Sequence, residues 1–188
     1  MGPPTDLLNA FLSDFEIDRF IETGTYKGHT AKWAAERIPE VCTIEKSDKY
    51  FKESMMILGE YTNIQLFNGE SANYLRELSL RDGRSIFWLD AHWSGGMTSG
   101  REAECPILSE LDAIGEESKR HIILIDDARL FLAPPPAPHN QDQWPSIREV
   151  LIKLHDYQEG YSVIYDDVII GVPLEMKRWL QEFLRVNS

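Results

Sequence analysis

Two apolar segments end in residues able to do chemistry. Asp90 and His92 follow Ser85-Ile86-Phe87-Trp88-Leu89, and the pair Asp126-Asp127 follows Ile122-Ile123-Leu124-Ile125. Continuous apolar runs of this length read as strands buried on both faces, as in the middle of a parallel sheet. Placed side by side, such strands bring three carboxylates together. Unpaired, these groups repel and raise one another's pKa, a conflict that a divalent cation resolves. His92 lies two residues after Asp90, so in an extended chain both side chains share a face. The imidazole could then act as a general base near neutral pH or complete a metal shell. A loop-capping Asp and a hydrogen-bonded buried His satisfy the same pattern without catalysis.

The second chemical feature is a glycine turn, Phe20-Ile21-Glu22-Thr23-Gly24-Thr25-Tyr26-Lys27-Gly28. A strand-like run ends in a carboxylate, passes two glycines and opens onto a helix. Glycines let backbone N–H groups approach a ligand, and the helix N-terminus beyond them carries partial positive charge. About twenty residues on, Val41-Cys42-Thr43-Ile44-Glu45 is a second strand with a carboxylate end, the spacing of a nucleoside site at an α/β sheet edge. A third strand ends in Asn68-Gly69-Glu70-Ser71. Five polar strand ends behind apolar strands imply one ligand-binding edge.

The elements that must position these groups alternate. Strands are expected near 19–22, 41–45, 63–69, 85–90 and 121–127, with helices near 6–15, 30–37, 48–58, 72–78, 106–114 and 145–154. Residues 161–165 and 168–172 flank Asp166-Asp167 as a hairpin lacking the usual turn glycine, and a helix over 174–184 follows. This predicts a single α/β domain over 1–188: a Rossmann-like, doubly wound, mostly parallel sheet with a C-terminal antiparallel strand pair. The glycine-rich stretch 94–100 reads as a loop that could close over a substrate. Glu102 and Glu104 could reach the acidic cluster, and His139 and Trp144 of the proline-rich segment could line a pocket, although ordinary loop packing also accounts for them. Trp33, Trp88 and Trp179 read as packing residues.

The 19 basic and 31 acidic residues give a formal charge of −12, which argues against broad contact with nucleic acid or anionic lipid. Cys42 and Cys105 form no metal-type pair, and no apolar run approaches the roughly 20 residues of a membrane span. The N-terminus lacks the apolar region of a signal peptide, so a cytoplasmic protein is expected. Trp179, Leu180, Phe183 and Leu184 could serve core or homodimer contact.

On these residues the chain resembles the class I S-adenosylmethionine-dependent methyltransferases. Glu22-Thr23-Gly24-Thr25-Tyr26-Lys27-Gly28 looks like their first motif, acidic-x-Gly-x-Gly-x-Gly, with Tyr26 in the middle glycine's place. The resemblance implies a pocket for S-adenosyl-L-methionine in which Glu22 and the backbone at Gly24, Tyr26 and Gly28 hold the methionine portion. Glu45 would take the ribose hydroxyls, Gly69, Glu70 and Ser71 would border the adenine, and Asp90 would lie near the methionine amine or a metal. Within that family the strand-end acids look like those of metal-dependent, macrocin-type sugar O-methyltransferases. That implies Mg²⁺ on Asp90, Asp126 and Asp127, with His92 where those enzymes place a general base. The expected reaction is O-methylation of a small or sugar-containing acceptor, with His92 and Asp90 as catalytic residues. A metal-dependent hydrolase and a non-catalytic nucleoside-binding protein remain alternatives, with a nicotinamide dehydrogenase behind them.

Overall fold

A computed structural model describes residues 2–93 and 103–187. Its strands are β1 (Arg19–Thr23), β2 (Glu40–Glu45), β3 (Ile64–Asn68), β4 (Ser85–Leu89), β5 (Ile122–Ile125), β6 (Tyr161–Tyr165) and β7 (Val168–Val172). They form one sheet in the order β3-β2-β1-β4-β5-β7-β6. The pairings from β3 through β5 are parallel, and β7 runs antiparallel to both β5 and β6. The expected mixed sheet is therefore present. The hairpin enters it with its second strand innermost, between β5 and β6.

Among the described residues, eight α-helices cover the sheet. They are α1 (Thr5–Asp14), α2 (His29–Ala35), α3 (Asp48–Leu58), α4 (Ser71–Leu80), α5 (Ile107–Ile114), α6 (Ala128–Leu132), α7 (Ile147–Gln158) and α8 (Lys177–Asn187). Alternation along each strand divides the core into two layers. Phe20, Ile86, Trp88, Ile122 and Leu124 face one layer with Leu7, Leu8 and Phe11 of α1, Ala31 and Ala34 of α2, and Leu180 of α8. Ile21, Phe87, Leu89, Ile123 and Ile125 face the other with Leu75, Leu111, Phe131 and Leu154 from α4, α5, α6 and α7. The apolar stripe of α8 is covered from within, since Trp179 stacks on Phe11 at 4.7 Å and donates to Asp14 Oδ2 at 2.6 Å.

Strand order reverses between β1 and β4, because β1 continues outward to β2 and β3 whereas β4 continues the other way to β5. In a parallel sheet that reversal opens a crevice beyond the strand ends. Glu22 and Asp90 stand on either side of it. The short α6, directly after β5, was not legible in the sequence: its five residues are too few for helical periodicity to show.

Candidate active site

The first wall of the crevice is the glycine turn. Gly24 has φ +83°, and a Cβ there would lie 2.3 Å from the Asp90 carbonyl oxygen, so the turn and the β4 end are fitted backbone to backbone. Gly28, at φ +76°, precedes α2 as its N-cap. Tyr26 takes φ +48°, the left-handed conformation that suits the glycine it replaces. Such a backbone costs a residue with a Cβ about 1–2 kcal/mol. Two contacts hold it: the Tyr26 N–H donates to Glu45 Oε2 at 2.8 Å, and its ring packs on Tyr50 at 4.7 Å.

Glu22 is buried at the end of β1 and accepts from Thr43 Oγ1 at 2.6 Å. Burial, with Asp90 and Glu45 nearby, pushes its pKa up to about 8. At neutral pH the free protein therefore keeps this carboxyl protonated, and a cationic group arriving beside it would favour ionisation. Glu45 also takes the Ser47 N–H at 2.7 Å on Oε1, so its carboxylate ties the turn to the loop after β2. Each oxygen retains a second lone pair for a hydroxyl. Gly69, at φ +143°, bonds its N–H to the Glu45 carbonyl at 3.0 Å. Glu70 is the N-cap of α4, pairs with Lys46 at 2.6 Å and is the more exposed partner. Ser71 is the first residue of that helix and is buried.

Across the crevice, His92 stands between two acids. Its Nδ1 is 3.4 Å from Asp90 Oδ1 and its Nε2 is 3.0 Å from Asp127 Oδ2. Burial alone would lower its pKa, but the Asp127 bond and the charges of Asp90, Asp127 and Asp126 prevail and raise it. Asp90, mainly through burial, is pushed up to about 7. Asp126 is raised by burial and by Asp127, and its Oδ1 accepts the Asp127 N–H at 2.8 Å. Asp127 goes the other way: the His92 bond, then Arg129, hold it well below the usual carboxylate range. His92 thus meets Asp90 and Asp127, while one oxygen of Asp126 is taken by the next backbone amide.

The Mg²⁺ expectation meets a difficulty in this geometry. Asp127 is already engaged by His92 and by Arg129 Nη1 at 2.6 Å, and one Asp126 oxygen by a backbone amide. Among the described residues no group of three or more His, Cys, Asp or Glu side chains is arranged to hold a metal ion. Asp90, Asp126 and Asp127 as they stand do not fit a divalent cation. The glycine turn is a better match for a cationic ligand: the two glycines leave room for close approach, and Glu22 suits a cation.

One buried acid beneath the strand ends escaped the sequence reading. Glu110 of α5 is buried beside Thr23 and Ser71, with a pKa raised to about 7 by burial, and its Oε1 has no hydrogen-bond partner. Its place on the helix carries no signal in the sequence; only packing under the strand ends reveals it. Glu104 turns away from the acidic cluster. It accepts from the Asn140 N–H at 2.9 Å and Trp144 Nε1 at 2.9 Å, and lies 3.1 Å from His139 Nδ1. It thereby pins the proline-rich segment, setting Trp144 5.6 Å from the His92 ring and His139 4.6 Å from Trp93. The stretch 94–100 and Glu102 lie outside the described residues.

No protein-family profile matches the sequence, and no curated protein sequence matches it. Solved structures do match in fold. A SAH-bound methyltransferase from Podospora anserina superposes with a TM-score of 0.57 at 18% identity, covering 82% of this chain and 70% of that one. A SAH-bound putative methyltransferase from Streptococcus mutans gives 0.58 at 13% identity over 91% of this chain and 98% of that one. An O-methyltransferase from Bacillus cereus, in complex with SAH, gives 0.59 at 14% identity over 91% and 81%. With its sheet order and single reversed strand, the chain has the Rossmann-like fold of the class I methyltransferases.

Proposed function

We propose that the protein is an S-adenosylmethionine-dependent methyltransferase acting on an oxygen of a small acceptor. The observation that carries this reading is the fitted junction at the switch point. Gly24 lies against the Asp90 carbonyl, Glu22 is buried behind it, and the His92 dyad stands beside it. The three structures of like fold described above all contain SAH, which supports the choice of cofactor.

S-adenosylmethionine, when bound, supplies an electrophilic methyl group on a sulfonium. The chain's own residues do the rest. Glu22, Gly24, Tyr26 and Gly28 hold the amino-acid end, and Glu45 with Gly69, Glu70 and Ser71 borders the nucleoside. Asp127 holds the Nε2–H of the His92 imidazole and leaves Nδ1, beside Asp90, as the nitrogen that removes the acceptor proton as oxygen attacks. Trp144 and the pinned proline-rich segment help to exclude water from the base. Positioning of donor and acceptor supplies much of the remaining rate. The acceptor is proposed to be a small or sugar-containing hydroxyl compound.

Calorimetric titration with S-adenosylmethionine and S-adenosylhomocysteine, with EDTA and with Mg²⁺, tests the cofactor assignment. Binding of neither compound in either condition overturns it. With an acceptor found by methyl-transfer screening, His92→Ala should slow transfer by roughly 10²–10⁴-fold with cofactor affinity nearly unchanged. A base works only when deprotonated. Because the His92 pKa is raised, the rate should climb with pH and level off above the ordinary histidine range. Unchanged transfer with lost cofactor binding would show that the role belongs elsewhere.

A further inference from the structure

The misfit between the strand-end carboxylates and a divalent ion has a structural cause. Arg129 Nη1 meets Asp127 Oδ1 at 2.6 Å and also contacts Asp167 Oδ2. The Arg129 N–H donates to Asp167 Oδ1 at 2.8 Å, and the Ala128 N–H donates to the Asp167 carbonyl at 2.7 Å. Asp167 belongs to the turn between β6 and β7, so one guanidinium joins the hairpin tip to the end of β5. Strained backbone gathers at the same junction. Asp127, Asp166 and Asp167 are three of the five non-glycine residues with positive φ among the described residues. A residue with a Cβ keeps that conformation where surrounding contacts impose it.

We infer that Arg129 is a resident cation of this site among the described residues. It occupies the charge-balancing place that a divalent ion holds in a metal-dependent enzyme, and it positions Asp127 for His92. A guanidinium keeps its charge at any physiological pH, and its planar fork matches carboxylate oxygens. With one Asp127 oxygen against Arg129 and the other against His92, a divalent ion would have to displace a fixed positive charge. Removing that charge leaves the hard oxygen donors that Mg²⁺ and Mn²⁺ take. Arg129 is on this account a positioning residue, acting on His92 through Asp127.

Mn²⁺ titration of the full chain, followed by electron paramagnetic resonance at neutral pH, tests the inference. Wild type and Arg129→Lys, which keeps the charge, should show no saturable site. Arg129→Met and Arg129→Gln should each gain a single site at least ~10-fold tighter than any wild-type binding. Adding Asp127→Asn should abolish that gain. Saturable Mn²⁺ binding by wild type overturns the inference. So does a neutral variant that is folded by circular dichroism and gains nothing. The wild-type titration alone keeps the test decisive should a neutral variant misfold. Because the readout is cation binding, its failure is distinct from failure of the methyl-transfer reading.

Discussion

At the edge where the parallel strands begin, Arg19 sits in register opposite Glu40 and Ser85 and bonds both, Glu40 Oε2 at 2.8 Å and Ser85 Oγ at 3.2 Å. Glu40 also takes Arg81 at 2.6 Å and Gln65 at 2.9 Å. His121 accepts the Ser85 N–H at 3.1 Å through Nδ1, so its Nε2 carries the proton that reaches the Ser79 carbonyl at 3.0 Å. At the opposite edge Glu22, Glu45, Asp90, Asp126, Asp127 and Glu110 crowd together, with Arg129 and His92 to answer Asp127. The two buried side-chain polar atoms without partners among the described residues, Trp93 Nε1 and Glu110 Oε1, belong to this second edge. The same kinds of side chain thus do opposite work. One edge pairs its charges across strands for stability, and the other is the edge proposed to take the ligand.

That contrast can be broken by substitution, and the largest effect is expected at the closed edge. Glu40→Ala leaves the buried Arg19 without its carboxylate and should destabilise the fold by about 3 kcal/mol in urea unfolding. A change within experimental error would mean that the closed edge contributes nothing. His121 comes next. Burial lowers its pKa to about 4, so between roughly pH 6.5 and that value the unfolded chain binds a proton that the fold refuses. Stability should therefore fall with acidification across this window, by roughly 2–3 kcal/mol from pH 7 to 4.5 relative to His121→Gln. Parallel losses in both proteins would rule out His121 as the source.

The ligand edge should respond with the opposite sign. Glu22→Gln removes a raised carboxyl whose ionisation the fold resists. It should stabilise the free protein by about 1 kcal/mol at pH 8 while weakening S-adenosylmethionine binding. Loss of stability with intact binding would make Glu22 a structural residue. Tyr26→Gly is expected to be smallest, within about 1 kcal/mol, because relief of the left-handed strain is offset by loss of the Tyr50 contact and by glycine's chain entropy. A loss well beyond that would mean that the aromatic pair, rather than the backbone, holds the turn.

The sequence by itself determined the alternation of strands and helices, the reversed hairpin strand's membership of the sheet, and the set of strand ends. Apolar runs such as 86–89 and 122–125 can be buried only one way, and each stops at a polar residue that must face the edge. It also located the turn at Gly24 and Gly28, since few residues other than glycine tolerate such φ values. Tertiary structure alone decided which side chain answers which. Glu104 and Glu110 are both helix- or loop-borne acids, yet one pins Trp144 and the other lies under Thr23 and Ser71. The place of β7 between β5 and β6 brought Asp167, forty residues from Asp127, onto the same guanidinium. Periodicity reports which face of an element is buried. The partner across the gap depends on strand order and on a rotamer, and neither is written in local spacing.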